Sequence, residues 1–228
     1  MVTGRRRLNA ALAAALVVGA TWVAQSAIGA TDFDRLLASI TQRWGAGATP
    51  KFNGWRNLLG AVSAAQDPER LKRVNDFFNK QTQFGEDTVI WGQPDYWATP
   101  LETLGRSAGD CEDFAIAKYF TLREAGVDAD KLRLIYVRAK TGSTDSAPTQ
   151  AHMVLAYYAQ AESEPLVLDN LIGDIRPASR RPDLVPVFSF NAQGIFSGAS
   201  NKEIAPAVGA GRLSRWEDLL KRVRAEGF

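Results

Sequence analysis

Only one cysteine, Cys111, and one histidine, His152, stand among the 228 residues of this chain. Cysteine chemistry needs a thiolate and a base to take its proton, so any such role falls to this pair. Cys111 lies in Gly109-Asp110-Cys111-Glu112-Asp113, which runs into an apolar-rich stretch from Phe114 to Ala125 and stops at Gly126. Asp110 suits the N-cap of a helix, Asp113 stands at a variant of the capping-box spacing, and Gly126 suits the C′ position. Cys111 then sits in the first turn, where free N–H groups and the helix dipole favour a thiolate. The carboxyl groups of Asp110, Glu112 and Asp113 oppose this by like-charge repulsion. A neutralising group is therefore required, His152 as imidazolium in part and a bound cation more fully.

His152 opens the run from Ala151 to Tyr158, and Leu166-Val167-Leu168 leads into Asp169 and Asn170. Both runs read as strands, joined by the polar connection 159–165. Antiparallel pairing centred near residue 162 sets His152 opposite Ile172, with Asp169 about three positions away. A small register shift or bulge then brings the two side chains within reach. The order Cys111, His152, Asp169 along helix, strand and strand follows the logic of nucleophile, general base and orienting carboxylate.

These groups need a frame. Before them the pattern is helical: a segment capped by Thr31-x-x-Asp34 with Phe33, Leu36, Leu37, Ile40 and Trp44, a second over about 54–65, and a third opening at Asp67-Pro68. The Gly-, Pro- and aromatic-rich stretch from Phe84 to Leu104 reads as a structured loop, with Trp91 and Trp97 in the core and Gln93 as an option for an oxyanion donor. After Gly126 the period becomes strand-like at Leu132 to Ala139, followed by a polar loop over 140–150. Residues 176–186, with Arg180 and Arg181, read as an exposed connection. Val187 to Phe190 and a Gly194 turn suggest a hairpin, and Ser214-x-x-Glu217 opens a terminal helix closed by Gly227. The expected organisation is one α+β domain over 31–228, with a helical lobe over about 31–125 and a mainly β lobe over about 126–228.

Residues 1–30 carry Arg5, Arg6 and Arg7, an apolar run from Ala10 to Ala24, and small residues up to Ala30. This is the pattern of a secretory signal peptide, its apolar run being short for a bilayer core of about 30 Å. A single cysteine exported to an oxidising compartment cannot form an internal disulfide, and its acidic, polar setting suits a reactive thiol better than an inert one. Composition is that of a globular protein, 46% hydrophobic and 23% charged. The formal net charge of +2 comes from the leader's arginines, so no basic footprint for nucleic acid is left.

The stretch Gly109 to Tyr119, with Ala151-His152-Met153-Val154-Leu155 and Leu166-Val167-Leu168-Asp169-Asn170, resembles the bacterial transglutaminase-like cysteine proteinases. The resemblance covers roughly 52–228. It implies a papain-like/transglutaminase-like fold in which a helical lobe bearing Cys111 packs on an antiparallel sheet bearing His152 and Asp169. It also implies a Ca²⁺-dependent periplasmic endopeptidase that cuts a large cell-surface adhesin near its N-terminus, at an Ala-Ala type site, and so disperses biofilm. A sequestering inner-membrane cyclic-di-GMP receptor, acting through its periplasmic domain, belongs to the same expectation. Asp110, Glu112 and Asp113 place three carboxylates within four positions, a partial oxygen set for calcium. A transglutaminase or amidase using the same three residues is the alternative, since the difference lies only in which acceptor resolves the thioester. A degenerate binding module is disfavoured by the intact trio.

Overall fold

The computed structural model describes residues 31–142, 148–200 and 210–228, with side chains of the last segment from 214 onward. The leader expected over 1–30 lies outside the described residues. Seven α-helices are described: α1 (Phe33–Trp44), α2 (Thr49–Val62), α3 (Asp67–Gln81), α4 (Asp87–Ile90), α5 (Pro100–Arg106), α6 (Cys111–Glu124) and α7 (Ala210–Glu226). None of them is long and apolar enough to cross a membrane. Two short strands, β1 (Gln83–Phe84) and β2 (Ala108–Gly109), pair in parallel. The main sheet comprises β3 (Leu132–Lys140), β4 (Thr149–Tyr157), β5 (Leu166–Leu168), β6 (Arg176–Pro177), β7 (Leu184–Phe190) and β8 (Ile195–Ser197). It is antiparallel throughout, in the order β6-β5-β4-β3-β7-β8.

α6 is the centre of the molecule. Ten of its fourteen residues are buried, including Asp113, Lys118 and Thr121 at 0% exposure. A helix enclosed on all sides has no polar stripe. It packs between α3 and α5 on one side and β3 and β4 on the other. The enclosed polar Thr121 is satisfied by Trp55 Nε1 at 2.9 Å. Strand alternation sends Leu132, Leu134, Met153 and Leu155 into this core. Ile135, Val137, Val154 and Ala156 line the opposite face, in a smaller cluster that Ala178 and Leu184 pack against.

Several local expectations are revised by packing. α1 takes its cap from Asp32, whose carboxylate accepts the Arg35 N–H, rather than from Thr31. α2 begins at Thr49, with Pro50 in its first turn, five residues ahead of the expected start. α3 does include Asp67 and Pro68, but Gln66 is its cap position. The loop expected over 84–104 contains α4 and the start of α5. Thr99 and Glu102 form a full capping box there, with Pro100 in the first turn. Trp97 is fully buried and stacks on Phe190 at 5.6 Å, whereas Trp91 is half-buried against Tyr96. α7 starts at Ala210, so Ser214 is inside the helix and does not cap it.

Helices α1 to α6 precede residue 125 and the main sheet follows it. Thr31–Phe228 forms one compact unit. α7 returns to the helical layer, where Trp216 meets Tyr119 and Phe190 edge-on, and Arg222 Nη1 lies 2.7 Å from Glu102 Oε2. Glu102 thus caps α5 and ties the C-terminal helix to it.

Candidate active site

Asp110 caps α6, its side chain accepting the Glu112 N–H at 3.2 Å, and Cys111 is the first helical residue. Asp113 does not close a capping box: its Oδ1 accepts the Ala98 N–H at 2.7 Å. β5 ends at Leu168 and, along β4, reaches only Leu155, Ala156 and Tyr157. Among the described residues the first part of β4 is therefore open on that side, and the Met153 backbone N–H there favours the Cys111 thiolate. Cys111 and His152 line one cavity of about 210 Å³, with Tyr136, Pro94 and Ala151 around them. Gln93 is exposed and does not line this cavity.

His152 Nε2 lies 2.8 Å from Asp169 Oδ1, both residues being buried. No bulge is needed. The observed register, Leu155 with Leu168, is shifted by one residue from the expected one. Continued one step, it sets Asp169 across from Val154, so alternation leaves His152 and Asp169 diagonal neighbours on one face. The Leu171 N–H also donates to Asp169 Oδ1 at 3.0 Å, and Asn79 Nδ2 holds the Asp169 carbonyl at 2.8 Å.

Arg181 completes the arrangement. Expected as an exposed residue, it is 3% exposed, and its Nη2 donates to Asp169 Oδ2 at 2.7 Å and to Asp183 Oδ2 at 2.7 Å. Burial alone would raise the Asp169 carboxyl, but the bonds from His152, Leu171 and Arg181 prevail and hold it down at about 2. An ionised carboxylate can only accept, so His152 Nε2 carries the proton and Nδ1 is the nitrogen left to act as base.

Comparison with known proteins now adds to this geometry. The family model for the bacterial transglutaminase-like cysteine proteinase BTLCP matches residues 59–182. LapG of Legionella pneumophila has a similar solved structure, 38% identical, covering 84% of this chain and 97% of that one with a TM-score of 0.69. Its EGTA-treated form is 37% identical at the same coverage and TM-score. The calcium-bound form is 37% identical, covering 83% of this chain and 98% of that one with a TM-score of 0.67. No curated protein matches the chain. The chain belongs to the bacterial transglutaminase-like cysteine proteinases. It is a LapG-like cysteine peptidase with the mixed helix and antiparallel-sheet fold of that group.

For a cysteine proteinase the resting thiol is poorly placed to ionise. Burial, then the neighbouring Glu112 carboxylate, push the Cys111 thiol up, and Cys111 Sγ lies 2.8 Å from Glu112 Oε2. The surrounding acids are themselves uncompensated. Burial, then Glu112, Asp113 and Asp87, push Asp110 up to about 10. Burial raises Asp113 well above the usual carboxylate range, and burial raises Asp87 to about 6.

These acids fit a hard divalent cation. Carboxylate oxygens of Asp87, Asp110 and Asp113 lie within 4.8 Å of one another, and Asp110 and Glu112 cluster separately with the Cys111 sulfur. Asp87 Oδ1 and Asp113 Oδ2 are buried without a hydrogen-bond partner. Buried, orphaned carboxylate oxygens converging on one point are the donor set that an oxygen-seeking cation requires.

Asp87 is a residue that sequence reasoning missed. Its nearness comes from the parallel pairing of Phe84 with Gly109, which zips the segment before α4 to the segment before α6. Gly109 is also a spatial requirement: a Cβ there would stand 2.6 Å from the Asp113 Cβ and 2.9 Å from its Oδ2.

Proposed function

We propose that this chain is a calcium-dependent endopeptidase of the periplasm that cuts a large cell-surface adhesin near its N-terminus. Cleavage at a small-residue, Ala-Ala type site releases the adhesin and with it the biofilm. The periplasmic domain of an inner-membrane cyclic-di-GMP receptor restrains the enzyme by binding it. The observation that carries the calcium dependence is the set of converging acids Asp87, Asp110 and Asp113 at the cysteine turn, with Asp87 Oδ1 and Asp113 Oδ2 buried and without partners. The similarity to a LapG solved in calcium-bound form supports the same reading. Periplasmic action is supported by the leader pattern over 1–30 and by a lone thiol with no disulfide partner.

Within this reading the roles of the side chains follow from the geometry. His152 Nδ1 takes the Cys111 proton, and the thiolate attacks the scissile carbonyl to form a thioester. The imidazolium returns its proton to the leaving amine, and water resolves the acyl-enzyme. Asp169 fixes the ring and offsets its charge. When bound, calcium supplies the positive charge that the acids around Cys111 lack. The test is incubation of the mature chain with an N-terminal adhesin fragment, with calcium or with EGTA. One defined cut is expected with calcium only, absent in Cys111→Ala and His152→Ala. Cleavage that survives Cys111→Ala overturns the mechanism, and amine incorporation without cleavage points to acyl transfer instead.

A further inference from the structure

We propose that the open edge of β4, Thr149 to Met153, is the substrate-binding strand of this peptidase, and that it recognises an extended polypeptide through its backbone. Hydrogen-bond parity fixes which backbone groups of β4 face that edge. The Tyr158 N–H donates to the Lys131 carbonyl at 2.8 Å, and the Pro148 carbonyl accepts the Thr141 N–H at 2.9 Å. The β3 and β4 register runs from Leu132 with Tyr157 to Lys140 with Thr149 without a shift. Even-numbered residues of β4 therefore turn their N–H and C=O toward β3, and odd-numbered residues turn theirs the other way.

On that other side β5 reaches only Leu155 and Tyr157. Thr149, Ala151 and Met153 thus present backbone groups to an edge that no strand among the described residues covers. Cys111, Ala151 and His152 line one cavity, so the edge begins beside the cysteine. Thr149 and Ala151 are exposed. An unpaired, exposed row of donors and acceptors is a template for one more strand.

The occupant is set by what lies along the edge. The nucleophile's cavity continues into a second one of about 450 Å³, and the two share Tyr136 and Ala151. Arg138, Thr149 and Val187 line the second cavity. A strand rises about 3.3 Å per residue, so a chain whose carbonyl reaches Cys111 meets Ala151 about 7 Å on and Thr149 about 7 Å further. About three or four substrate residues on one side of the scissile bond are held in this way. A helical or folded segment has no free backbone groups to offer, so the substrate must be extended at the cut. This inference rests on the peptidase activity alone and not on the adhesin or the receptor.

The test uses peptidyl vinyl sulfones that alkylate Cys111, read by intact mass with calcium added, with iodoacetamide as a probe that needs no edge. Lengthening the probe from one alanine to four should raise the labelling rate at least tenfold. Replacing a single amide N–H of the tetra-alanine probe by an ester oxygen should slow labelling about fivefold where that N–H faces the edge, and leave the linkages between unchanged. Ala151→Pro removes an edge N–H without touching the β3 ladder. It should remove most of the rate gained on lengthening the probe from one alanine to four. Labelling that does not depend on probe length, or ester effects that are equal or absent at every linkage, overturns the proposal, and this series on the unaltered protein decides it whether or not the proline variant folds. Loss of iodoacetamide labelling in the unaltered protein would instead count against the cysteine chemistry itself.

Discussion

Arg181→Met is the perturbation whose consequence the structure specifies most fully. The guanidinium is buried and supplies the hydrogen bond on Asp169 Oδ2, while His152 and the Leu171 amide occupy Oδ1. Methionine fills much of the volume but leaves an ionised oxygen buried and unmatched. Breaking a buried pair from one side costs about 3–5 kcal/mol, a large fraction of a domain's stability. The pH dependence has a definite sign. Asp169 is held at about 2, against an ordinary 3.8. It contributes roughly 2 kcal/mol that is fully present above the unfolded value and is lost as pH falls toward about 2. In Arg181→Met the carboxyl rises, so that contribution shrinks and acid unfolding begins at higher pH. Urea denaturation from about pH 7 to about pH 3 measures both effects. A double-mutant cycle with Asp169→Asn, which removes the charge that Arg181 matches, should give a coupling of about 1–3 kcal/mol. If the two substitutions add to within about 0.5 kcal/mol, Arg181 does not act through Asp169 and the reasoning fails.

Lys118→Met should raise the urea midpoint at neutral pH. The Lys118 amine is enclosed without a hydrogen-bond partner, and burial holds it down at about 7 although the Asp169 charge opposes this. Its cost is fully present below about 7 and fades as pH approaches the unfolded value of 10.5. The unaltered protein should therefore gain stability from about pH 7 to about 10 with a slope that the methionine variant lacks, and equal slopes would refute this. Gly109→Ala drives a Cβ into Asp113 and should cost about 1–3 kcal/mol while weakening calcium binding, with thermal melting in calcium and in EGTA as the readout. A variant as stable as the parent in both would show that Asp113 can move aside. Asp87→Asn should lower calcium affinity by at least about tenfold in calorimetry, and an unchanged isotherm removes Asp87 from the ligand set.

The parts of this site that could be read from the sequence are those whose geometry is local. Asp110, Cys111 and Glu112 are placed by the first turn of one helix, where a capping side chain reaches an N–H two residues on, and so they fall as the spacing predicts. His152 and Asp169 lie on strands joined by a short connection, so their proximity survived a register error of one residue. That one-residue shift, one of the two ways expected to bring them within reach, makes them a plain diagonal pair without a bulge. Thr99-x-x-Glu102 was legible too, as a capping box, but two nearby prolines and the aromatic density made the whole stretch look irregular.

Asp87 and Arg181 were not legible, and for one physical reason. Each is a charged residue whose burial is decided by a partner on a distant element. Asp87 depends on β1 and β2, strands of two residues each, too short to show any alternation, which bring residues 23 to 26 positions apart into one cluster. Arg181 sits in an Arg- and Pro-rich connection whose composition is that of solvated loops, yet the Asp169 carboxylate and Asp183 draw it inward. A charged side chain can be enclosed only where partners meet it, and here Asp169 at the end of β5 and Asp183 meet Arg181 in the connection after β6. The same logic separates the two charged systems around Cys111. Asp169 is already matched by His152 and Arg181, while among the described residues Asp87, Asp110 and Asp113 accept backbone N–H groups and no basic side chain. The Asp169 side is therefore expected to hold its geometry with or without an ion, and the acidic turn beside Cys111 is where a bound cation is expected to change the structure most.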